Sequence, residues 1–519
     1  MTEYLIGLDF GSASARGVLV DAGTGQEVAS HSQDYRHGTL TTALPDETPL
    51  ARGWALQVAQ DYLDVVEVIL KQLGNGRRVL GMGIGFTASS PMPTDAAGTP
   101  LSTLFPEDPH AYVKLWKHAA QPQADRINRQ GGDYLQHFGG KLSGEWLLPK
   151  AAQIAEEAPD SWARTARFIE AGDWLVWQLV GHEVRSLGMA AYKAQYNPNK
   201  GYPDVVDGLA ARLSAPLPIG SKAGALSADW QARTGIIGPC PVAVAVIDSH
   251  VVLPAIGAVE DGCFVAALGT SAVSLMLSHD YHPLPAGIEG TAIDGSVRGL
   301  WCYEAGQACF GDMLSWFVNA FPRGSNATES FAAYNAAAAA LQPGQNRLFA
   351  LDWWNGNRVP HANSALSGLL IGLTMQTDAV AIYRALIESL CYGMRQVFEL
   401  YQNGGFYIRR VVLTSGLATR NPLLVQTMAN VLGRSIEIPN IKNSTAIGAA
   451  IHGAVACALV PDFAAGAARF GAKSATTYDA DPTAFAVYSR IFRHYQALSH
   501  DPKVLAAMEG LAALQAVEA

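Results

Sequence analysis

The chain has 519 residues, of which 49% are hydrophobic and 16% are charged. This composition excludes an intrinsically disordered protein and favours more than one domain, at a prior of roughly 150 residues per domain. The formal net charge of −9 argues against nucleic acid or an anionic membrane as partner, because both favour a basic face. A phosphate ligand would therefore have to be held locally, by backbone N–H groups or a metal.

Cysteine usage and hydropathy predict the compartment. The six cysteines form no CxxC pair, which is typical of reduced thiols in a cytosolic protein. The N-terminal residues lack the basic and apolar regions of a signal peptide. Apolar runs are interrupted before about 18 positions, so no transmembrane helix is predicted. We expect a soluble, cytoplasmic protein.

The first stretch predicts a β-meander. Residues 4–9 form a short apolar strand that ends in Asp9, small residues over 11–15 form a turn, and residues 16–21 form a second strand. Asp9 is placed to hold a metal-bound water, and the turn offers backbone N–H donors. An acid, a glycine and a serine in this order also occur in many ordinary turns.

The next stretch predicts a helix over residues 54–73, from its helical period, and a buried strand over 79–86. A polar turn, 87–91, follows the strand. Ligands of open α/β sheets bind beyond the carboxyl ends of strands, so this turn is a candidate sugar-binding loop, with a plain strand–Pro turn as the alternative. Lys193 falls in a polar-aromatic loop, where most lysines are simply solvated.

A Pro- and Gly-rich region over residues 216–241 predicts the domain boundary. We therefore expect an N-terminal domain over 1–240, a C-terminal domain over 241–500 and a C-terminal tail over 501–519.

The stretch Pro241–Leu275 carries the candidate chemistry. Asp248 follows a buried apolar run, and Gly269-Thr270-Ser271 forms a turn between two further apolar runs. Such a carboxylate can accept a proton from a hydroxyl, and such a turn can wrap N–H groups around phosphate oxygens. Two core strands with ordinary turns would look the same.

The two stretches form a pseudo-repeat, in which each half of the chain offers a strand–turn–strand phosphate clamp. Two clamps that face each other across a cleft are the arrangement of actin-like, hexokinase-like ATPases. Further along, we expect a helix that opens at Tyr303 and ends near Phe321. We also expect a small-residue helix over 445–460 that lets backbones approach closely.

With these pieces assembled, the sequence resembles the FGGY family of carbohydrate kinases, and within it the members that act on L-ribulose. The match runs from Tyr4 to about Tyr495. Its pieces, in chain order, are IGLDFGSASAR, YRHGTL, KLWKHAAQ, GGKLSGEW, VIDSH, ALGTSA, YEAGQACFGDMLSWF, LDWWNGNR and the GLLIGLTMQT…IYRALIESL signature. Each piece is modest alone, and their order through both halves carries the resemblance.

The resemblance implies an α/β fold of two RNase H-like domains, of the actin/hexokinase-like ATPase class, around a central cleft that closes on ATP and sugar. It implies that Asp248 is the catalytic base and that Asp9 helps to hold Mg²⁺. The residues implied to contact ATP or its phosphates are Asp9, Gly11, Ser12, Arg16, Gly269, Thr270, Ser271, Ser415, Gly416, Asn421 and Gln426. The residues implied to contact the sugar are Ala88, Lys193, Asp248 and Glu304.

Two positions depart from the family pattern. Gly85 stands where the strand before the sugar loop usually ends in Asp, which leaves the sugar preference open. Ser415-Gly416 stands where the adenosine motif usually reads Gly-Gly. We expect this change to tune nucleotide contact, because Ser is small enough to keep the path of the loop.

The implied activity is ATP-dependent phosphorylation of the carbon-5 hydroxyl of a ketopentose, with L-ribulose favoured, in arabinose catabolism. One alternative is an FGGY kinase for D-ribulose, xylulose or a polyol such as erythritol. A second is a non-catalytic, actin-like sugar sensor. A third is a metal hydrolase built on Asp248 and His250, which has no third ligand nearby in sequence. Sugar and ATP are the expected partners, without nucleic acid or membrane, and a homodimer is left open.

Overall fold

The computed structural model describes residues 2–284 and 287–517, with the side chains of 515–517 left aside. The chain divides into two compact units, each assembled from three separate segments. The first unit comprises Met1–Val259, Thr291–Cys302 and Ile441–Lys473. The second comprises Glu260–Gly290, Tyr303–Asn440 and Ser474–Ala519.

These bounds differ from the boundary predicted at residue 240. The chain after Pro241 continues as strands of the first unit's sheet, and the segment Ile441–Lys473 also belongs to that unit. The prediction followed Pro and Gly composition, whereas strand pairing decides where the unit ends. The tail predicted over 501–519 is a helix, Pro502–Val517, of the second unit, and residues 518 and 519 lie outside the described part.

The first unit is built on a mixed β-sheet. The strands of this unit, which include two small separate pairs, are in chain order β1 (Glu3–Phe10), β2 (Ser14–Asp21), β3 (Glu27–Asp34), β4 (Leu56–Gln57), β5 (Arg78–Phe86), β6 (Pro91–Thr94), β7 (Val113–Lys114), β8 (Arg167–Glu170), β9 (Lys222–Ala225), β10 (Pro241–Ala243) and β11 (Val246–Ile247). The sheet order is β3-β2-β1-β5-β10-β9, and β11 also pairs with β5. Strand β2 lies between β1 and β3 and is antiparallel to both, whereas β5, β10 and β11 continue the sheet parallel to β1.

Helices and 3-10 turns connect these strands. The helices are α1 (Ala59–Gly74), α2 (Leu101–Leu104), α3 (Gln121–Gln130), α4 (Leu147–Glu157), α5 (Pro159–Arg164), α6 (Ala171–Val180), α7 (Leu187–Lys193), α8 (Ala228–Thr234) and α9 (Asp248–Val251). Single 3-10 turns lie at Pro109–Ala111, Asp133–His137, Ala210–Arg212 and Leu253–Ile256. Among the residues described, no helix has the length and apolar character needed to cross a membrane.

The later part of the chain forms a second mixed sheet. Its strands are β12 (Cys263–Leu268), β13 (Ala272–Ser278), β14 (Gly290–Ile293), β15 (Trp301–Gln307), β16 (Phe349–Leu351), β17 (Leu369–Ile371), β18 (Arg410–Thr414), β19 (Ile436–Pro439) and β20 (Ala475–Tyr478). The sheet order is β14-β15-β13-β12-β18-β19-β20, and β16 pairs with β17 separately. The helices are α10 (Gly311–Ala320), α11 (Ala327–Ala339), α12 (Ala379–Asn403), α13 (Gly416–Arg420), α14 (Pro422–Leu432), α15 (Ser444–Ala456), α16 (Phe463–Phe470), α17 (Pro482–Ser499) and α18 (Pro502–Val517).

The strand plan of the predicted repeat is confirmed in the strand pairing, whereas its contact with phosphate stays a prediction. In the first sheet, the β1–β2 hairpin is followed across the sheet by parallel β5 and β10 and then by antiparallel β9. In the second sheet, the β12–β13 hairpin is followed by parallel β18 and β19 and then by antiparallel β20. The two sheets therefore share one strand plan.

The small-residue helix predicted over 445–460 is α15, and it packs against the first sheet. A side chain on Gly7 of β1 would overlap the carbonyl oxygen of Ala446, and one on Gly83 of β5 would overlap that of Ala449. A Cβ at Gly81 would lie 2.5 Å from the carbonyl oxygen of Gly453. Glycine on the strands and small residues on the helix thus allow direct backbone contact.

Two predicted elements differ from the structure. The helix predicted from residue 54 begins at Ala59, because Leu56 pairs in a strand with Lys114. The helix predicted to open at Tyr303 begins at Gly311, because Trp301–Gln307 is strand β15. In both places, pairing with a distant strand overrides the local helical pattern.

Candidate active site

Two carboxylates of the first unit lie at one edge of its sheet. Asp9 is in β1 and pairs with Gly85 of β5, which in turn pairs with Val246 of β11. Asp248 follows β11 directly as the first residue of α9. The two acids therefore flank β5 on strands that are roughly 10 Å apart, twice the spacing of neighbouring strands. This is the carboxyl edge of the parallel strands, where α/β sheets bind ligands.

Burial perturbs the chemistry at this edge. Burial raises the pKa of Asp9 to about 6, and the charge of Arg16 opposes that rise. Burial also raises the pKa of Tyr35 well above its usual range, and neighbouring charges that include Asp9 and Asp248 add to the effect. Both acids thus lie within electrostatic range of the same phenol. The group is acidic and weakly solvated, which suits a cation or a proton acceptor.

The turn after β1 is held firmly. Gly11 donates its backbone N–H to the carbonyl of Ser14 at 3.0 Å and accepts from the hydroxyl of Tyr35 at 3.0 Å. The hydroxyl of Ser12 accepts from the indole N–H of Trp116 at 2.9 Å, and its carbonyl accepts from Gln57 at 2.8 Å. Because the N–H of Gly11 is used inside the turn, that of Ser12 is the better candidate for a phosphate.

Arg16 belongs to the same hairpin, and its guanidinium forms hydrogen bonds outside the turn. It pairs with Asp9 in the ladder, while its guanidinium donates to Ser32 and to Asn443, both at 3.0 Å. Asn443 in turn donates to Glu27 at 2.8 Å. These contacts give Arg16 a structural part that the sequence did not indicate, and its contact with ATP stays a prediction.

The predicted sugar loop after β5 is fixed by a buried polar group. Glu170, at the end of β8, accepts from the hydroxyl of Ser89 at 2.5 Å and from the N–H of Ser90 at 2.6 Å. Lys150 of α4 donates to the carbonyl of Ser89 at 2.7 Å and to that of Leu115 at 2.9 Å. The partly exposed Ala88 is therefore presented on a loop clamped from both sides.

Lys193 is part of this surrounding and not of a solvated loop. It ends helix α7, is 6% exposed, and its ammonium lies 6.0 Å from the ring of Trp146. Burial raises the pKa of Glu170, and the charges of Lys150 and Lys193 oppose that rise. Burial lowers the pKa of Lys150, which the charge of Glu170 counters. A buried lysine such as Lys193, near the carboxylate of Glu170, is suited to orient the hydroxyl groups of a sugar.

Sequence reasoning missed Glu170, Lys150 and Ser89. The partners are 81 and 61 residues apart in the chain, so no local motif joins them. One signal was available, since Lys150 stands in the otherwise apolar run Leu147–Ala152. A lysine with an apolar residue on every side of a helix must find buried acceptors.

Helix α9 packs where Gly85 has no side chain. A Cβ at Gly85 would lie 2.8 Å from a methyl of Val251 and 3.6 Å from a methyl of Thr445. The departure at Gly85 therefore makes room for the helix that begins with Asp248. His250 of the same helix is buried, with its ring 4.6 Å from that of Tyr192 and its Nδ1 2.8 Å from Ser296. This packing disfavours the metal hydrolase built on His250.

In the second unit, the turn Gly269-Thr270-Ser271 follows β12 and is largely exposed. Gly269 donates its N–H to the carbonyl of Ser271 at 2.9 Å, as Gly11 does in the first hairpin. The carbonyl of Thr270 accepts from Phe310 at 2.8 Å, and that of Gly269 accepts from Gly311 at 3.0 Å. The turn is thus anchored to the beginning of α10, with Thr270 at its tip.

The predicted adenosine residues follow β18 in the same unit. Ser415 has a φ of 114°, a conformation that favours glycine, and its hydroxyl donates to the carbonyl of Leu268. Gly416 begins α13. Asn421 caps α14 by accepting from Leu424 at 3.1 Å, and Gln426 donates to the carbonyl of Asp479 at 2.8 Å. Asn421 and Gln426 thus have structural partners, and their contact with adenosine stays a prediction.

Glu304, the predicted sugar residue of this unit, lies in strand β15 and is partly exposed. Its carbonyl accepts from the N–H of Glu289 at 2.9 Å. The sequence placed it in a helix, so its position on a strand is a correction.

A magnesium site built entirely from protein ligands is not present in the described part of the chain, where no group of three His, Cys, Asp or Glu is placed to hold a metal. Mg²⁺ at phosphate-transfer sites uses one or two carboxylates and takes its remaining ligands from phosphate and water. The partly buried carboxylate of Asp9 fits that need, because a cation would offset the desolvation that raises its pKa.

The repeated hairpin-and-parallel-strand plan defines an actin/hexokinase-like fold of the α/β class. A solved xylulose kinase from Rhodospirillum rubrum is similar with a TM-score of 0.82, at 20% identity, over 95% of this chain and 98% of that chain. The predicted fold class is confirmed.

Sequence similarity then defines the family. Residues 264–457 match the model of the C-terminal domain of the FGGY family of carbohydrate kinases. The ribulokinase of Bacillus licheniformis is 37% identical over 522 residues, which cover 93% of this chain and 94% of that protein. The ribulokinase of Mycolicibacterium smegmatis is 37% identical over 534 residues, covering 96% and 94%. The chain belongs to the FGGY family of carbohydrate kinases, and the predicted enzyme class, an ATP-dependent carbohydrate kinase, is confirmed.

Proposed function

We propose that the protein transfers the γ-phosphate of ATP to the carbon-5 hydroxyl of a ketopentose, with L-ribulose as the substrate. The observation that carries the proposal is the pair Asp9 and Asp248 on the strands that flank β5. The choice of L-ribulose is supported by the relatives named ribulokinase, which match over more than nine-tenths of this chain. A role in arabinose catabolism follows from that substrate.

Asp248 acts as the base that accepts the proton of the attacking hydroxyl. It begins a helix at the carboxyl edge of the sheet, and its carboxylate also accepts the N–H of Ser249 at 2.7 Å, which fixes its orientation. Phosphoryl transfer needs little covalent help from the protein, so positioning of the hydroxyl is the main contribution of this residue.

The hairpin turn of each sheet contributes backbone N–H groups to the phosphates. The N–H groups of Ser12 and Thr270 are the candidates to bind phosphate, because those of Gly11 and Gly269 donate within their own turns. Asp9 would hold Mg²⁺, and the ion would supply positive charge against the phosphate oxygens. Ser415-Gly416 contacts the nucleotide.

The sugar is held by Ala88, Lys193 and Glu304. The support for Ala88 and Lys193 is the buried clamp of Glu170, Ser89 and Lys150 around the loop. Gly85 bears on the sugar indirectly, because a side chain there would meet Val251 and displace the helix of Asp248. We therefore expect Gly85 to set the position of the base and not to enlarge the sugar pocket. Cytoplasmic location and a homodimer stay predictions.

A panel of sugars tests the proposal. Coupled ADP release is measured with L-ribulose, D-ribulose, D-xylulose, L-xylulose and erythritol, and compared as kcat/KM. We expect L-ribulose to exceed the other sugars by at least about 10-fold. A higher value for another sugar would identify a different substrate within the family. Absence of sugar-dependent ATP turnover with every sugar would support the non-catalytic sensor.

A further inference from the structure

A cavity lies within the first unit, and the residues predicted to hold sugar or phosphate do not line it. Its volume is about 440 Å³, and its wall comes from Ala191 and from three segments, around residues 131–138, 195–205 and 291–301, without Lys193. Small-molecule sites have volumes of roughly 300–1,000 Å³, whereas one water takes about 30 Å³. The cavity is therefore large enough for an organic ligand, and Asp9, Ala88 and Asp248 do not line it.

The wall of this cavity is aromatic. The rings of Tyr196 and Tyr202 are 4.8 Å apart, and those of His137 and Trp301 are 6.2 Å apart. Tyr134 also lines the cavity. Exposed faces of such rings stack on the C–H faces of sugars and on other flat apolar surfaces.

Two polar atoms of the wall lack hydrogen-bond partners within the described residues. Gln195 is 2% exposed and donates its Nε2 to the carbonyl of Tyr192 at 3.1 Å, while its Oε1 is unpaired. The hydroxyl of Tyr134 is buried and unpaired as well. Unpaired buried polar atoms are rare and point to a ligand or water that supplies the missing bonds.

The charges of the wall disfavour an anion. Lys200 lines the cavity and forms an exposed ion pair with Asp133 at 3.6 Å, and Asp204 adds a further negative charge. Burial lowers the pKa of His137, and the charge of Lys200 lowers it further, so its ring is neutral at pH 7. A phosphate would meet no net positive charge here.

We propose that this cavity is a second binding site, for an uncharged polyhydroxylated ligand, a neutral mono- or disaccharide. Rings for stacking, a buried amide and phenol for hydroxyl groups, and no excess of positive charge select this class together. The site is independent of the phosphoryl-transfer proposal, because it shares none of the residues assigned there.

The test is calorimetric titration of the full chain with L-arabinose, D-glucose and maltose, repeated with an excess of L-ribulose. We expect at least one probe to bind one site per chain, without displacement by L-ribulose. Trp301→Ala should weaken that binding about 10-fold, and Trp316→Ala, a half-exposed tryptophan of the second unit, is the matched control and should not.

Tyr134→Phe removes one hydroxyl and keeps the ring, so it tests the site even if Trp301→Ala fails to fold. It should weaken binding about 3- to 10-fold, as expected for one lost hydrogen bond, and Tyr407→Phe on the exposed surface should have no effect. The proposal is overturned if no probe binds, if L-ribulose displaces the probe competitively, or if Tyr134→Phe binds like the unmodified chain. Loss of kinase activity in Asp248→Asn with intact probe binding would separate the two sites.

Discussion

The two sheets share a strand plan but carry different chemistry at the same edge. In the first, the hairpin strand carries Asp9 two residues before the turn glycine, and Asp248 follows β11, which pairs with β5 in parallel as β10 does. In the second, Ala267 stands two residues before Gly269, and Asn440 follows the corresponding strand β19. One repeat thus presents acids and the other presents neutral groups.

The turns themselves are closed by the same group, although the acceptor is three residues after the glycine in the first turn and two residues after it in the second. In both hairpins the glycine N–H closes the turn, onto Ser14 in the first and onto Ser271 in the second. The difference therefore lies in side chains added to a common backbone device. The turns that we propose for phosphate thus occur in both sheets, whereas the acids that we propose for proton acceptance and metal binding belong to the first.

The largest effect is expected where the first unit differs most from the second. Asp248→Asn keeps the shape of the side chain but removes the base, so kcat should fall about 10²- to 10⁴-fold. The KM for ATP should change little, because the proposed nucleotide contacts of Ser415 and Gly416 belong to the second unit. Steady-state kinetics with L-ribulose measures both values.

The control for this prediction is Asp46→Asn. Asp46 is an exposed acid of the same unit that accepts within its own loop, from the N–H of Thr48 at 3.0 Å. Its removal should leave kcat unchanged. A folded Asp248→Asn variant with near-normal kcat would show that the acids of the first unit are not the basis of the difference.

The second unit also holds a buried acid, but away from the sheet edge. Asp352 is 4% exposed and accepts from Gln307 at 2.8 Å and from the hydroxyl of Tyr495 at 2.7 Å. Burial raises its pKa from 3.8 to about 6. Protonation therefore stabilises the folded state fully below pH 3.8, and this stabilisation, about 3 kcal/mol, is lost as the pH rises through 6.

Asp352→Asn should remove that pH dependence. At pH 7 the variant should be more stable by about 2 kcal/mol. This is the stabilisation of about 3 kcal/mol given above, less about 1 kcal/mol for the hydrogen bond from Gln307 to the carbonyl of Leu390, which must rearrange around the new amide. At pH 4 it should gain nothing. Urea unfolding at both pH values measures this, with the exposed Asp280→Asn as control. A fall in kcat comparable to that of Asp248→Asn would place chemistry in an acid that we regard as structural.

Several parts of this comparison could be predicted from the sequence, because they depend on local pattern. Apolar runs that end in Asp9 and at Gly269 predicted strands β1 and β12 within one or two residues. The close approach of helix α15 was also predicted. These features need only neighbouring residues.

The rest depends on contacts between distant residues. Tyr303–Gln307 has a helical pattern but pairs as a strand, and the clamp of Ser89 by Glu170 joins residues 81 positions apart. The first unit is likewise completed by residues 441–473, which no composition change marks. Hydrophobic periodicity carries no information on which distant strand or acid will become a partner.

A smaller effect is expected at the turn of the second unit. A Cβ on Gly311 would lie 2.7 Å from the carbonyl oxygen of Gly269, so Gly311→Ala should push the turn away from its anchor. We expect the KM for ATP to rise about 10-fold, with a smaller change in the KM for sugar, as one misplaced phosphate contact would cause. Gly510→Ala, with nothing within 4 Å, is the control. A rise confined to the KM for sugar would contradict the assignment of this turn to phosphate.

The smallest effect is expected at Ser415, a position of the second unit outside the turn that the two repeats share. Its φ of 114° costs a non-glycine residue about 1 kcal/mol or more, and its hydroxyl bond to Leu268 returns about 1 kcal/mol. Ser415→Gly relieves the backbone and loses the bond, so stability should change by less than about 1 kcal/mol. Ser415→Ala keeps the strain and loses the bond, so it should be destabilised by about 1 kcal/mol. Thermal unfolding of the two variants separates the cost of the backbone conformation from the contribution of the hydroxyl bond. If Ser415→Ala is as stable as the unmodified chain, the hydroxyl does not hold this loop.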